Sequence, residues 1–200
     1  MEAATTLFLR NGYLGTSMDE VAALAGVSKQ TVYTHFADKE QLFAELVRGN
    51  TSRVEEFIPT IGRILDQTLD LELDLRELAR TYVSYVIQPR VLQLRRLIIG
   101  EAGRFPELAR TYFEQVPQRL VHTLASHMRR LADRGQLSVD DPVLAAQHFA
   151  WLILAVPLDR AMFTGTDEDF AASELEQFAD AGVRVFLAAY GGKPAGGARK

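Results

Sequence analysis

The stretch TSMDEVAALAGVSKQTVYTHFADK, Thr16 to Lys39, constrains the fold more than any other part of the chain. Ser17 precedes an apolar run and Glu20 stands three positions later, the spacing of a capping box. This predicts a helix through Val21, Ala22 and Leu24, ended by Gly26, because glycine adopts the left-handed conformation of a helix C-terminus at little steric cost. Ser28 predicts a second helix, Lys29 to Phe36, and Asp38 with Gln41 predicts a third. Ala22 is small enough for two helices to cross closely, and Val32 can fill the angle between them. A small residue, a turn glycine and a branched apolar residue at this spacing suit a helix-turn-helix, whose second helix lies in the DNA major groove. That second helix carries Lys29, Gln30, Thr31, Tyr33, Thr34 and His35, all able to hydrogen-bond and none acidic. Val32 and Phe36 lie four apart and share the inward face.

Charge argues less clearly. The chain has a formal net charge of −4. Residues 1–50 hold Arg10, Lys29, Lys39 and Arg48 against Glu2, Asp19, Glu20, Asp38, Glu40 and Glu45. The broad basic footprint usual in a DNA binder is missing at that scale, and the local cation is Lys29. An apolar fraction of 48% supports a substantial core. Absence of cysteine excludes disulfides and thiolate metal sites. The start lacks a signal-peptide layout, and the apolar run Phe149 to Leu158 is too short to span a bilayer, so the expectation is a soluble, cytoplasmic protein without a membrane partner.

The remaining segments all read as helix, giving an all-α fold. Glu2 to Arg10 is a first helix, and the one beginning near Lys39 runs on through Val54, Phe57 and Ile61, with Pro59 inside it. Asp74 with Glu77 predicts one helix start, and Pro89, Pro106, Pro117 and Asp141-Pro142 predict others. Ser173 with Glu176 predicts the start of the last helix. Gly135, Gly165 and Gly191-Gly192 predict ends. The domains expected are a head at 1–48, a helical body at 49–190 and a disordered tail at 191–200.

The segments TSMDEVAALA and GVSKQTVYTHFADKEQLF closely resemble the DNA-binding domain of TetR-type transcriptional regulators across residues 4–48. The matching positions are Gly26-Val27-Ser28, Thr31-Val32-Tyr33, His35-Phe36, Lys39-Glu40 and Leu42-Phe43. Leu78 to Arg134 is similar to the ligand-binding half of the AefR-like branch. The resemblance implies that the second helix of the motif reads DNA. Lys29, Gln30, Thr31 and His35 are then candidates for base-edge contacts, and Thr16, Ser17, Tyr33 and Lys39 for phosphates. Ser28 and Thr34 complete the set. For Tyr33 the alternative is a packing residue, and for His35 a structural cap.

The resemblance also implies that the body holds a small effector and forms a homodimer on a roughly palindromic operator. Tyr82, Tyr85, Phe113, His148 and Trp151 carry polar handles on apolar helices and suit a mostly apolar pocket; the alternative is that they pack the core. Phe178, Gly182, Val185, Phe186 and Ala189 line one side of the last helix and are candidates for the dimer seam; the alternative is an intramolecular core face. The mechanism expected is repression relieved when ligand shifts a two-state equilibrium. The alternatives are a ligand-independent DNA-binding regulator, or a helical carrier or enzyme that no longer reads DNA. No enzyme is expected: His122 and His127 are five apart, not the i, i+4 spacing of helical metal ligands, and no phosphate loop or nucleophile elbow is present. No metal or cofactor is expected.

Overall fold

The computed structural model describes residues 1–164 and 170–192, without the side chains of 50–53. Ten α-helices lie among the described residues: α1 (Glu2–Asn11), α2 (Met18–Ala25), α3 (Lys29–His35), α4 (Lys39–Leu65), α5 (Leu71–Val86), α6 (Pro89–Glu101), α7 (Pro106–Phe113), α8 (Arg119–Asp133), α9 (Pro142–Thr164) and α10 (Ala172–Tyr190). The fold is all-α, and an isolated bridge from Leu137 to Gly191 is its only β-type pairing among the described residues. Contacts gather the chain into two units, Met1–Glu55 with Gln93–Pro117, and Glu56–Leu92 with Gln118–Lys200. The first unit thus joins the motif helices to a segment from the middle of the sequence.

The first unit is built around aromatic packing. Phe8 and Phe43 are fully buried with their rings 5.3 Å apart. Tyr13 meets Phe43 edge-on at 5.3 Å and Phe105 at 4.8 Å. Leu42, Leu46 and Val47 supply the apolar stripe of α4, and Leu94, Ile98 and Tyr112 join the same core from α6 and α7.

The second unit packs α5, α8 and α10 around α9. Phe149 of α9 meets Phe186 of α10 edge-on at 5.2 Å, and both are fully buried. The two helices are in close contact at Gly182, where an added Cβ would lie 2.9 Å from the Leu152 carbonyl oxygen. Helix α9 is long and apolar enough by composition to cross a membrane, and this corrects the short apolar run expected from sequence. Its buried side, with Ala145, Phe149 and Ile153, is the centre of the second unit, which identifies α9 as a core helix. Asp180 on α10 receives a bidentate guanidinium from Arg80, at 2.9 and 2.8 Å, and Arg76 adds a bond at 3.3 Å. Arg80 above all holds the Asp180 carboxyl below its ordinary pKa.

Several local expectations need correction. Asp70, not Asp74, caps α5, accepting from the Leu73 N–H. Helix α10 begins at Ala172 without a side-chain cap, so Ser173 and Glu176 lie inside it. Pro117 does not separate α7 from α8; it sits in a π-helical turn, Glu114–Gln118, that joins them. Gly191 and Gly192 are paired to the 135–138 turn through backbone bonds, so they are not part of a loose tail. Gly165 and residues 193–200 lie outside the described residues.

The end of α4 is tied to α8 by charge. Asp66 Oδ1 lies 3.0 Å from Arg130 Nη2 and 3.2 Å from His127 Nδ1, and the Asp66 carbonyl accepts from Arg134 at 3.0 Å. His127 is buried, and Arg130 Nη2 is 2.7 Å from its Nδ1. Burial first, and the Arg130 charge second, lower the imidazole pKa, with Asp66 pulling the other way. The unfolded chain therefore binds this proton at a higher pH than the folded chain does. Stability is full above about pH 6.5 and falls as pH drops from there through the folded pKa. Denaturant titrations across that range are expected to show the decline, and His127→Gln is expected to flatten it. Gly182→Ala is expected to lower the unfolding free energy by about 1–2 kcal/mol, because backbone overlap outweighs the gain in helix propensity.

Candidate nucleic-acid interface

The motif folds as its residues dictate. The Ser17 hydroxyl accepts from the Glu20 N–H at 3.2 Å while the Glu20 carboxylate accepts from the Ser17 N–H at 2.8 Å. Gly26 ends α2 at φ 67° and ψ 28°, a left-handed conformation, and its N–H bonds back to the Ala22 and Ala23 carbonyls. Ala22 and Val32 are buried where α2 crosses α3. Helix α3 ends on His35, not on Phe36 as the sequence suggested; Phe36 caps it by donating its N–H to the Val32 carbonyl. Asp38 caps α4 by accepting from Gln41 N–H at 2.8 Å, and Gln41 in turn accepts from Ala37 N–H.

Apart from Val32, every residue of α3 is exposed. Gln30, Thr31, Thr34 and His35 all stand on the surface, and Tyr33 is 52% exposed. Some hydroxyls are committed locally. Ser28 caps α3 through the Thr31 N–H and its Oγ is 2.8 Å from Thr31 Oγ1, and Thr34 donates to the Gln30 carbonyl. Thr16 is buried, with its hydroxyl donating to the Gly12 carbonyl at 2.9 Å, and Ser17 is taken up in its capping box.

The cations are engaged as well. Lys39 donates to the carbonyls of Tyr13 at 2.9 Å and Thr16 at 2.8 Å, and its ammonium lies 4.5 Å from the centre of the Tyr13 ring. Arg104 lies over the same ring at 5.4 Å. Burial pushes the Tyr13 phenol pKa up. Lys29 Nζ is 2.5 Å from Asp19 Oδ2. Sequence reasoning correctly found no acid on α3, but missed that α2 supplies one ten residues back.

The body residues scatter. Tyr82 and Tyr85 come together on α5, where Phe57 stacks on Tyr85 at 4.5 Å and on Tyr82 at 5.9 Å. Phe113 belongs to the first unit and is 56% exposed. His148 is exposed with its Nδ1 2.6 Å from the Tyr190 hydroxyl, and Trp151 is 54% exposed on the same helix. Those two stand on the outside of α9, not in an interior cavity. Of the residues expected at a dimer seam, Gly182 and Phe186 are buried within the protomer against α9, so their contacts are intramolecular. Phe178 is half-buried, and Val185 and Ala189 are exposed. On α9 itself, Leu144, Leu152 and Val156 join Trp151 on an exposed apolar side. No group of three metal-ligating side chains occurs among the described residues.

Both the head and the body have known counterparts. A family model described as "Bacterial regulatory proteins, tetR family" matches residues 1–46, and one described as "AefR-like transcriptional repressor, C-terminal domain" matches residues 74–192. The chain belongs to the TetR family of transcriptional regulators. A TetR-family regulator of Mesorhizobium loti MAFF303099 has a structure similar to it at a TM-score of 0.89 and 43% identity, over 95% of this chain and 94% of that one. The flavonoid-responsive regulator FrrA is similar at 0.75 and 33% identity, over 96% and 95%. The uncharacterized HTH-type regulator YhgD of Bacillus subtilis (strain 168) is 27% identical over 88% of this chain and 94% of its own length. TetR-family proteins are transcriptional regulators that bind operators and dimerise, not enzymes.

In this TetR-family head, Lys39 fastens the start of α4 to the turn between α1 and α2. Lys39→Met keeps the stem and removes the donors, and thermal or denaturant unfolding is expected to show a loss of about 1–2 kcal/mol.

Proposed function

We propose that this chain represses transcription from a roughly palindromic operator and releases it when a small, largely apolar or aromatic ligand binds its helical body. The observation that carries the reading is α3 itself. It is a short helix exposed on every side but one, held by Gly26 and the Ala22–Val32 crossing at a fixed angle to α2. Nothing in the packing of the head requires Gln30, Tyr33 or His35 to be polar, whereas base edges and phosphates do. The functional division is a reading head at 1–48 and a sensing and dimerising body at 49–190. The similarity of the second half to AefR-like repressors supports repression rather than activation.

Two further observations support the remaining parts. The exposed apolar side of α9, with Val185 and Ala189 of α10, suits a seam with a second copy, and this places two α3 helices on one duplex. The stack of Phe57 on Tyr85 and Tyr82 suits a flat aromatic effector, and FrrA, similar over nearly the whole chain, is flavonoid-responsive. Such a ligand acts only through its differential affinity for the two conformations of the body, with α4 carrying the change to the head. The protein would work where the chromosome is, in the cytoplasm.

A gel-shift titration against DNA from just upstream of its own gene tests the reading at one stated salt concentration. Tight binding of that duplex, absent with a scrambled one and lost in the Lys29→Ala, Tyr33→Ala double variant, is the expected outcome. A flavonoid is expected to release the wild-type complex and to lose that effect in Tyr85→Ala. Equal weak binding of both duplexes would count against an operator at that place.

A further inference from the structure

We infer that Asp19 is a specificity-determining residue of the head: by holding Lys29 it suppresses binding to arbitrary DNA more than binding to the operator. The inference rests on the DNA-reading role of α3. Asp19 lies in the first turn of α2 and Lys29 opens α3, so the pair spans the turn between them at 2.5 Å. Both side chains are more than half exposed, 54% and 66%. Exposed ion pairs contribute little to folding stability, so the pair's effect falls chiefly on what approaches the surface.

What approaches is a polyanion. Affinity for arbitrary duplex comes from cations that neutralise phosphates and release counterions. Of the four cations in the first fifty residues, three are already engaged: Lys29 with Asp19, Arg48 with Glu45 at 2.7 Å, and Lys39 with two backbone carbonyls. Asp19 therefore acts twice against an unspecific duplex, by cancelling Lys29 and by repelling the phosphates next to it. The operator is affected less, because lysine has three donors and can keep the carboxylate while donating to a base edge. An acidic residue beside the reading helix thus raises the ratio of specific to non-specific binding, the quantity that matters among many competing sites.

The test begins by selecting a duplex with the wild-type protein from a random library. Wild type, Asp19→Asn, Asp19→Ser, Lys29→Ala and the Asp19→Asn, Lys29→Ala double variant are then titrated with the selected duplex and a scrambled one, between about 50 and 200 mM salt. Both Asp19 variants are expected to bind the scrambled duplex several-fold tighter. The slope of log affinity against log salt should steepen by about 0.9, one phosphate contact. The selected-to-scrambled ratio should fall, and without Lys29 the gain should shrink to the smaller part that comes from removing the Asp19–phosphate repulsion. Unchanged scrambled binding, an unchanged or raised ratio, or the same gain without Lys29 would overturn the inference. So would weaker binding of the selected duplex alone, which would make Asp19 an aligner of Lys29. A wild-type protein that selects no duplex would instead defeat the DNA reading, and the inference with it.

Discussion

The head depends on how Tyr13 is held. Its ring is met by Phe43 and Phe105 from two sides, and the Lys39 ammonium and the Arg104 guanidinium lie over it. Its carbonyl accepts from the same Lys39. One side chain at the start of α4 thereby fixes both the ring and the backbone of the turn before α2. The angle at which α3 stands rests on α2, and the place of α2 rests on that turn. Cations over an aromatic face gain most where water is partly excluded, which is the situation of a buried tyrosine at a three-way junction.

Electrostatics in this unit favour order over attraction. Six acids outnumber four bases in the first fifty residues. Lys39 and Lys29 would be the obvious phosphate partners, yet one is bonded to carbonyls and the other to Asp19. A head of this kind has little long-range pull on a duplex, so discrimination must come from close contacts, where hydrogen-bond geometry decides.

Much of the fold was legible because its signals are local. The caps at Ser17, Ser28, Asp38 and Asp141, and the left-handed Gly26, each depend on residues within four positions. Asp74 misled because Asp70 offers the same acceptor one turn earlier, and Ser173 misled because α10 starts without any side-chain cap. The failures at the site have a different origin. Lys29 and Asp19 meet across a turn, and Lys39 reaches back 23 and 26 residues, so neither pairing has a periodicity to announce it. Phe186 and Val185 are neighbours on one helix, yet the first is fully buried and the second 54% exposed. An apolar helix face does not say whether its partner belongs to the same chain. Gly182 answers that question only once the Leu152 carbonyl is seen against it.

The outer side of α9 sets a condition on abundance. Trp151, Leu152 and Val156 face water in the single protomer, so the proposed pairing would hide a surface that otherwise favours unspecific sticking. A bacterial regulator kept at nanomolar concentration stays paired only if its association free energy reaches about 12 kcal/mol. Below that concentration the proposed pair would separate, and the head would lose the second half-site proposed for it. The amount of protein in the cell, and not only an effector, would then govern occupancy of the operator.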